Sequence, residues 1–192
     1  MDESDGAVVV RARSGDGDAF RQLVERHSRS VFRLAFRMTG NEHDAEDVVQ
    51  ETFLRAYKQL KNYESRSSFS TWLYRIASNY TLDLIRMRKR HADKHDSDSE
   101  EGRPILDELA ATAPAPDRLL FSNQVKDRVA AAMEELSDLE RSAFVLRHFE
   151  GLSIEEIGGM LGTSLNATKH SIFRAVQKLR KRLEPLVAPA RG

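Results

Sequence analysis

Two stretches of this chain carry cations at a spacing suited to a polyanion. Residues 166–182 hold Lys169, Arg174, Lys178, Arg180, Lys181 and Arg182 with no acid between them, and residues 86–90 hold Arg86, Arg88, Lys89 and Arg90. On a helical projection, His170, Arg174, Lys178 and Lys181 cluster opposite Leu165, Ile172, Val176, Leu179 and Leu183. A basic face backed by an apolar one can neutralise DNA phosphates while residues near the helix start reach base edges in the major groove. A solvated surface helix is the plainer reading of the same residues. What favours DNA is the sequence in front of them, SIEEIGGML followed by GTS. Ser153 and Glu156 have capping-box spacing, Gly162 breaks the helix and Ser164 can cap the next one, which is the layout of a helix-turn-helix. Gly158 and Gly159 each cost about 1 kcal/mol against alanine inside a helix. Either they allow a close helix approach or they leave this helix marginal.

The other basic block ends a longer run, SFSTWLYRIASNYTLDLIRMRKR, residues 68–90. Its apolar stripe centres on Trp72, Ile76 and Tyr80, beside an edge formed by Arg75, Asn79, Leu82 and Arg86 at i, i+4, i+7 and i+11. Trp72, Leu73 and Ile76 read as core. Cations and an amide beside an aromatic cluster suit single-stranded nucleic acid, whose backbone is neutralised while unpaired bases are stacked or pocketed.

The elements that position these groups read as helical nearly throughout. Apolar residues recur at helical spacing from Asp18 to Met38, ending at Gly40 and Asn41, and again from Asp44 to Leu60 and through 68–90. A further helix opens at Pro116 and Asp117, and shorter ones follow at about 138–149, 153–161 and 165–183. The fold class is all-α: two small helical domains, residues 10–91 and 118–186, joined by a flexible acidic linker, residues 92–117.

Composition narrows the function classes. The 30 Lys and Arg balance 30 Asp and Glu, but the charges are segregated: Glu42, Asp44, Glu46, Asp47 and Glu51 fall within 42–51 with no Lys or Arg among them. Such blocks imply different partners for different segments. The absence of cysteine excludes disulfides and thiolate zinc sites. No apolar run approaches the ~20 residues that span a bilayer, so membrane insertion is not expected and the chain reads as cytoplasmic. His91 and His95 have metal-compatible spacing without a third ligand nearby, and DGD at 16–18 reads as a helix start rather than a calcium loop. With neither a nucleophile constellation nor a phosphate loop, no enzyme, metal or cofactor is expected.

Here the residues resemble a family. DAEDVVQETFLRAY (44–57), SFSTWLYRIASN (68–79) and RMRKR (86–90) resemble region two of the extracytoplasmic-function (ECF) sigma factors of bacterial RNA polymerase, and LSDLERSAFVLRHFEGLSIEEIGGMLG with its following helix resembles their region four. The resemblance implies a promoter-specificity factor that binds core polymerase and helps melt DNA. Its region two would meet the β′ clamp helices through Asp44, Asp47, Gln50, Glu51 and Leu54 on one outer face. Acids near a helix start also suit its dipole, but that leaves the expected exposure of Leu54 unexplained. The minus-ten element would be held by Phe69, Arg75, Asn79, Arg86, Arg88, Lys89 and Arg90, with Asn79 lining a pocket for a flipped base. Region four would meet the β flap and place Lys169, His170, Ser171, Phe173, Arg174 and Lys178 on the minus-thirty-five element. An anti-sigma factor is a further implied partner. Asn166, Ala167, Thr168, Lys169, His170 and Ser171 stand where relatives often have Gly-Thr-Val, a basic residue, Ser and Arg, which leaves the preferred upstream sequence open. A stand-alone helix-turn-helix regulator is the rival; it accounts for the second domain and not for the first.

Overall fold

In the computed structural model, residues 4–64, 66–92, 125 and 127–187 are described, and no strand occurs among them. They form two compact units, one ending at residue 92 and the other beginning at 125. The acidic segment expected as a linker lies outside the described residues, apart from its first residue, as does His95.

Helix α2 (Gly17–Thr39) starts where Oδ1 of Asp16 accepts the Asp18 and Ala19 N–H groups, both at 3.0 Å. The other carboxylate oxygen accepts from Nε and Nη2 of Arg11 at 3.0 and 2.8 Å. The Ala19 N–H bond and Arg11 hold this carboxyl below its usual pKa, so the DGD stretch is a helix start, as its sequence indicates. Gly40 ends the helix at φ 73°, a left-handed conformation that suits glycine. Asn41 caps α3 (Glu42–Gln59), a 3₁₀ turn covers Leu60–Asn62, and α4 (Phe69–Ala92) follows. Leu23, Val31 and Leu34 of α2, Val48 and Phe53 of α3, and Leu73 and Ala77 of α4 form the buried interior.

A first helix, α1 (Asp5–Arg13), begins before the expected boundary at residue 10 and runs across it. Its Val8, Val9 and Ala12 are buried, and it packs on α2. Oδ2 of Asp5 lies 2.8 Å from Nε2 of His27, and Oδ1 accepts from Nη1 of Arg26 at 3.2 Å. Three consecutive valines are poor helix formers, and Ser4 makes no side-chain cap, so tertiary burial decides the conformation here.

The second unit contains a helix at 127–134 (α5), α6 (Asp138–His148), α7 (Ile154–Leu161) and α8 (Leu165–Val187). The Ser153 and Glu156 capping box forms as its spacing indicates, and a second one joins Ser137 and Glu140. Gly162 turns the chain at φ 64°, and Oγ of Ser164 accepts from the Ala167 N–H at 3.2 Å. The glycine alternative resolves toward close packing, because a Cβ on Gly158 would stand 3.0 Å from the Thr163 carbonyl oxygen and 3.2 Å from Oγ1 of Thr168. Gly159 has open space at the same position. Gly158→Ala should therefore destabilise this unit by about 1–3 kcal/mol through overpacking, whereas Gly159→Ala should stabilise it by roughly 0.5–1 kcal/mol. Paired thermal melts check the opposite signs.

Candidate functional site

On α3, Asp47, Gln50, Glu51 and Leu54 lie on one outward face, with Leu54 49% exposed. Nε of Arg55 donates to Oε1 of Glu51 at 2.6 Å, one turn along, and the Arg55 guanidinium lies 4.8 Å from the Tyr80 ring centroid. Asp44 does not share this face, contrary to the sequence expectation. It is 3% exposed, because the basic end of α4 lies against the first turn of α3 and Arg88 forms an ion pair with Oδ1. Burial pushes the Asp44 carboxyl above its ordinary pKa; the Arg88 charge opposes that rise and the Asp47 charge adds to it. Arg88, expected on phosphate, is already engaged by this buried acid.

The expected nucleic-acid edge of α4 changes in two places. Phe69 is 3% exposed, with its ring centroid 5.3 Å from that of His27, 5.9 Å from Tyr63 and 5.6 Å from Trp72, so it braces the turn and offers no stacking surface. The Tyr63 hydroxyl donates to the Ser67 carbonyl at 2.7 Å and pins the same turn. Trp72, Ile76 and Tyr80 are half-buried flanks, and the deepest line runs through Leu73, Ala77, Thr81 and Leu84. Leu82 belongs to the core rather than the edge. The exposed stripe is Arg75, Asn79, Asp83 and Arg86, continuing into Lys89 and Arg90, with Arg86 3.5 Å from Asp83. Asp83 is the residue the sequence reading missed, and its i+4 spacing from Asn79 was the available signal.

In α8 the inward line is Thr168, Ser171, Ala175 and Leu179. Leu165 is exposed and Val176 only half-buried, so the helix is rotated from the face its apolar residues predict. Small residues occupy the inner line where α8 approaches α7, as the Gly158 and Thr168 contact requires. Ser171 is consequently 1% exposed and cannot touch DNA; its Oγ has no hydrogen-bond partner among the described residues. Lys169, His170, Phe173 and Arg174 remain outward, with Phe173 61% exposed. Asn166 and Gln177 share that face, legible in the 166, 170, 173, 177 spacing, and both amides suit base-edge contacts. Lys178 is outward but held: its Nζ donates to Oε2 of Glu140 at 2.6 Å, and Nε of Arg174 lies 3.3 Å from Oε1 of the same carboxylate. Among the described residues no group of three or more His, Asp or Glu could hold a metal ion, and no helix is long and apolar enough to cross a membrane.

Residues 23–91 match the family described as Sigma-70 region 2, and residues 126–179 match Sigma-70, region 4. The chain is 35% identical over 182 residues to the ECF RNA polymerase sigma factor SigW of Bacillus subtilis, covering 93% of this chain and 96% of that protein. It is 32% identical over 189 residues to the RNA polymerase sigma-H factor of Pseudomonas aeruginosa, covering 98% of each. Among solved structures, CnrH in complex with the cytosolic domain of CnrY superposes with a TM-score of 0.65 at 30% identity, over 95% of this chain and 99% of that one. The sigma factor RpoE of Bartonella quintana, in complex with the anti-sigma factor NepR, shares the fold at a TM-score of 0.70 and 23% identity, over 88% of this chain and 98% of that one. Two sigma regions in order and relatives matched along nearly their whole length leave the stand-alone regulator unsupported. The chain belongs to the ECF RNA polymerase sigma factors, which direct promoter-specific transcription initiation.

Proposed function

We propose that residues 10–91, extended by α1, act as region two and residues 118–186 as region four, and that each exposed face described above meets one partner. Asp47, Gln50, Glu51 and Leu54 dock on the β′ clamp helices of core polymerase, and region four meets the β flap. Arg75, Asn79, Arg86, Lys89 and Arg90 take the melted non-template strand at the minus-ten element, with Asn79 at the flipped base. Asn166, Lys169, His170, Phe173, Arg174 and Gln177 enter the major groove at the minus-thirty-five element. An anti-sigma factor competes for these faces and the chain works in the cytoplasm, beside the polymerase. This role asks for binding by the chain, not for catalysis.

The observation that carries the reading is the separation of charge within one bundle: acids and Leu54 on the outer face of α3, and on α4 a mainly cationic stripe with the Asn79 amide and a single acid, Asp83. Transcription with purified core polymerase on a promoter library tests it, and discrete start points are expected. A chain that dimerises tightly, ignores core polymerase and initiates nowhere would reinstate the rival regulator. Within region four, Arg174→Ala should weaken binding to promoters that depend on the upstream element by about tenfold, the scale of one base-edge contact. Promoter-binding titrations with and without that element measure it, and an indifferent result would place the recognition face elsewhere.

A further inference from the structure

Two capping boxes in the second unit provide an internal comparison. Glu156 caps α7 by accepting from the Ser153 N–H at 2.8 Å, and its side chain stays exposed. Glu140 does the same for α6, accepting from the Ser137 N–H at 3.0 Å, yet it is only 4% exposed and also engages two cations from α8. Capping requires neither burial nor cations, as Glu156 demonstrates. Burial works to raise the Glu140 pKa, but the Lys178 hydrogen bond, the Ser137 N–H and the Lys178 and Arg174 charges together hold it below the ordinary value. Glu140 is thus a fixed anion behind the proposed DNA face, and Arg174 keeps 61% of its side-chain surface exposed while tethered to it.

We infer that Glu140 is a positioning residue for promoter recognition: its buried carboxylate tethers the outward side chains of Arg174 and Lys178 from behind, so that Arg174 reads the upstream element instead of collapsing onto the nearest phosphate. This rests on the reading of α8 as the minus-thirty-five reader. A guanidinium gives sequence information only when its donors are aimed at base edges, whereas its attraction to phosphate is indifferent to sequence. One carboxylate against two cations also removes one positive charge from those available to the DNA backbone. Glu140 therefore trades general affinity for discrimination.

The test is Glu140→Gln in the full chain assembled with core polymerase, which keeps a capping acceptor and removes the charge. Binding is measured on promoters with an intact or scrambled upstream element across a salt series. Preference for the intact element should fall about tenfold, and the salt dependence should steepen by about one as Lys178 becomes available to phosphate. A purely structural role would weaken both DNAs together and leave the salt slope alone, and that result overturns the proposal, as does no change in either quantity. Glu156→Gln reports the cost of changing a capping box by itself. If Glu140→Gln does not fold, Arg174→Lys decides: it keeps the charge without the Nε contact, so discrimination should fall at an unchanged salt slope, and retained discrimination overturns the proposal. Lys169→Ala separates the two levels of inference, since Lys169 is exposed and outside the Glu140 cluster. If Lys169→Ala and Arg174→Ala both leave DNA binding intact, the reading of α8 fails and the proposal with it; if they weaken binding while Glu140→Gln changes nothing, only the positioning role fails.

Discussion

Asp47→Lys combined with Glu51→Lys is expected to lower affinity for core polymerase by at least about 100-fold while leaving the helical fold intact. Both acids are half-exposed and neither belongs to the buried interior. The one described hydrogen bond that Glu51 loses is to Arg55, one turn away, and exposed pairs of that kind contribute only about 0.2–1 kcal/mol. At a protein interface the balance differs: losing a desolvated charge pair costs roughly 2–5 kcal/mol, and reversing the sign adds repulsion. Two reversals beside the exposed Leu54 should therefore leave binding too weak to measure at ordinary concentrations. Fluorescence anisotropy with labelled chain and purified core gives the affinity, and far-UV circular dichroism reports the fold. Wild-type affinity in the double variant would remove α3 as the docking face.

Asn79→Ala should slow promoter opening by about 10- to 100-fold yet change closed-duplex binding by less than about twofold. Asn79 is exposed between Arg75 and Arg86, and its amide can both donate and accept to the edge of an unpaired base. An unmade hydrogen bond to a desolvated base costs on the order of 1–3 kcal/mol, which sets the range. In closed duplex that base is stacked and unavailable, so the cost should appear only on melting. Fluorescence of a base analogue in the non-template minus-ten strand follows opening, and a gel-shift titration follows duplex binding. Equal losses in the two assays would count against a base pocket at this position.

What the sequence made legible is local. The caps at Asp16, Ser153 and Ser164 and the stops at Gly40 and Gly162 are short-range signals, and helices begin or end there. Helical spacing put Asn79 on an exposed edge, whereas the binding faces of Asp47, Leu54 and Phe173 came from the family resemblance; Leu54, Asn79 and Phe173 are exposed and Asp47 is half-buried. The misplacements share another origin. Ser171 was assigned to DNA by the resemblance, and a helical projection does not correct it, because projection gives the inner face to apolar residues whereas close packing of α7 on α8 selects small ones. The resemblance gave Phe69 a DNA role although its spacing puts it with the apolar residues of its helix, and it put Asp44 on the outer face; nothing adjacent in sequence reveals the His27 and Tyr63 rings or the Arg88 guanidinium that cover them. Glu140 and its two cations lie 34 and 38 positions apart, and no periodicity within one helix connects them. The valine run of α1 hid a helix for the same reason, since its conformation is decided by the surface it covers.

That covered surface bears on any attempt to study the first unit piecemeal. A fragment trimmed to begin at residue 23, where the region two correspondence starts, discards Val8, Val9 and Ala12 and strips His27 of its carboxylate. The bared flank of α2 would be a greasy seam open to water, and such a fragment should clump, with losses in promoter assays that reflect solubility rather than recognition.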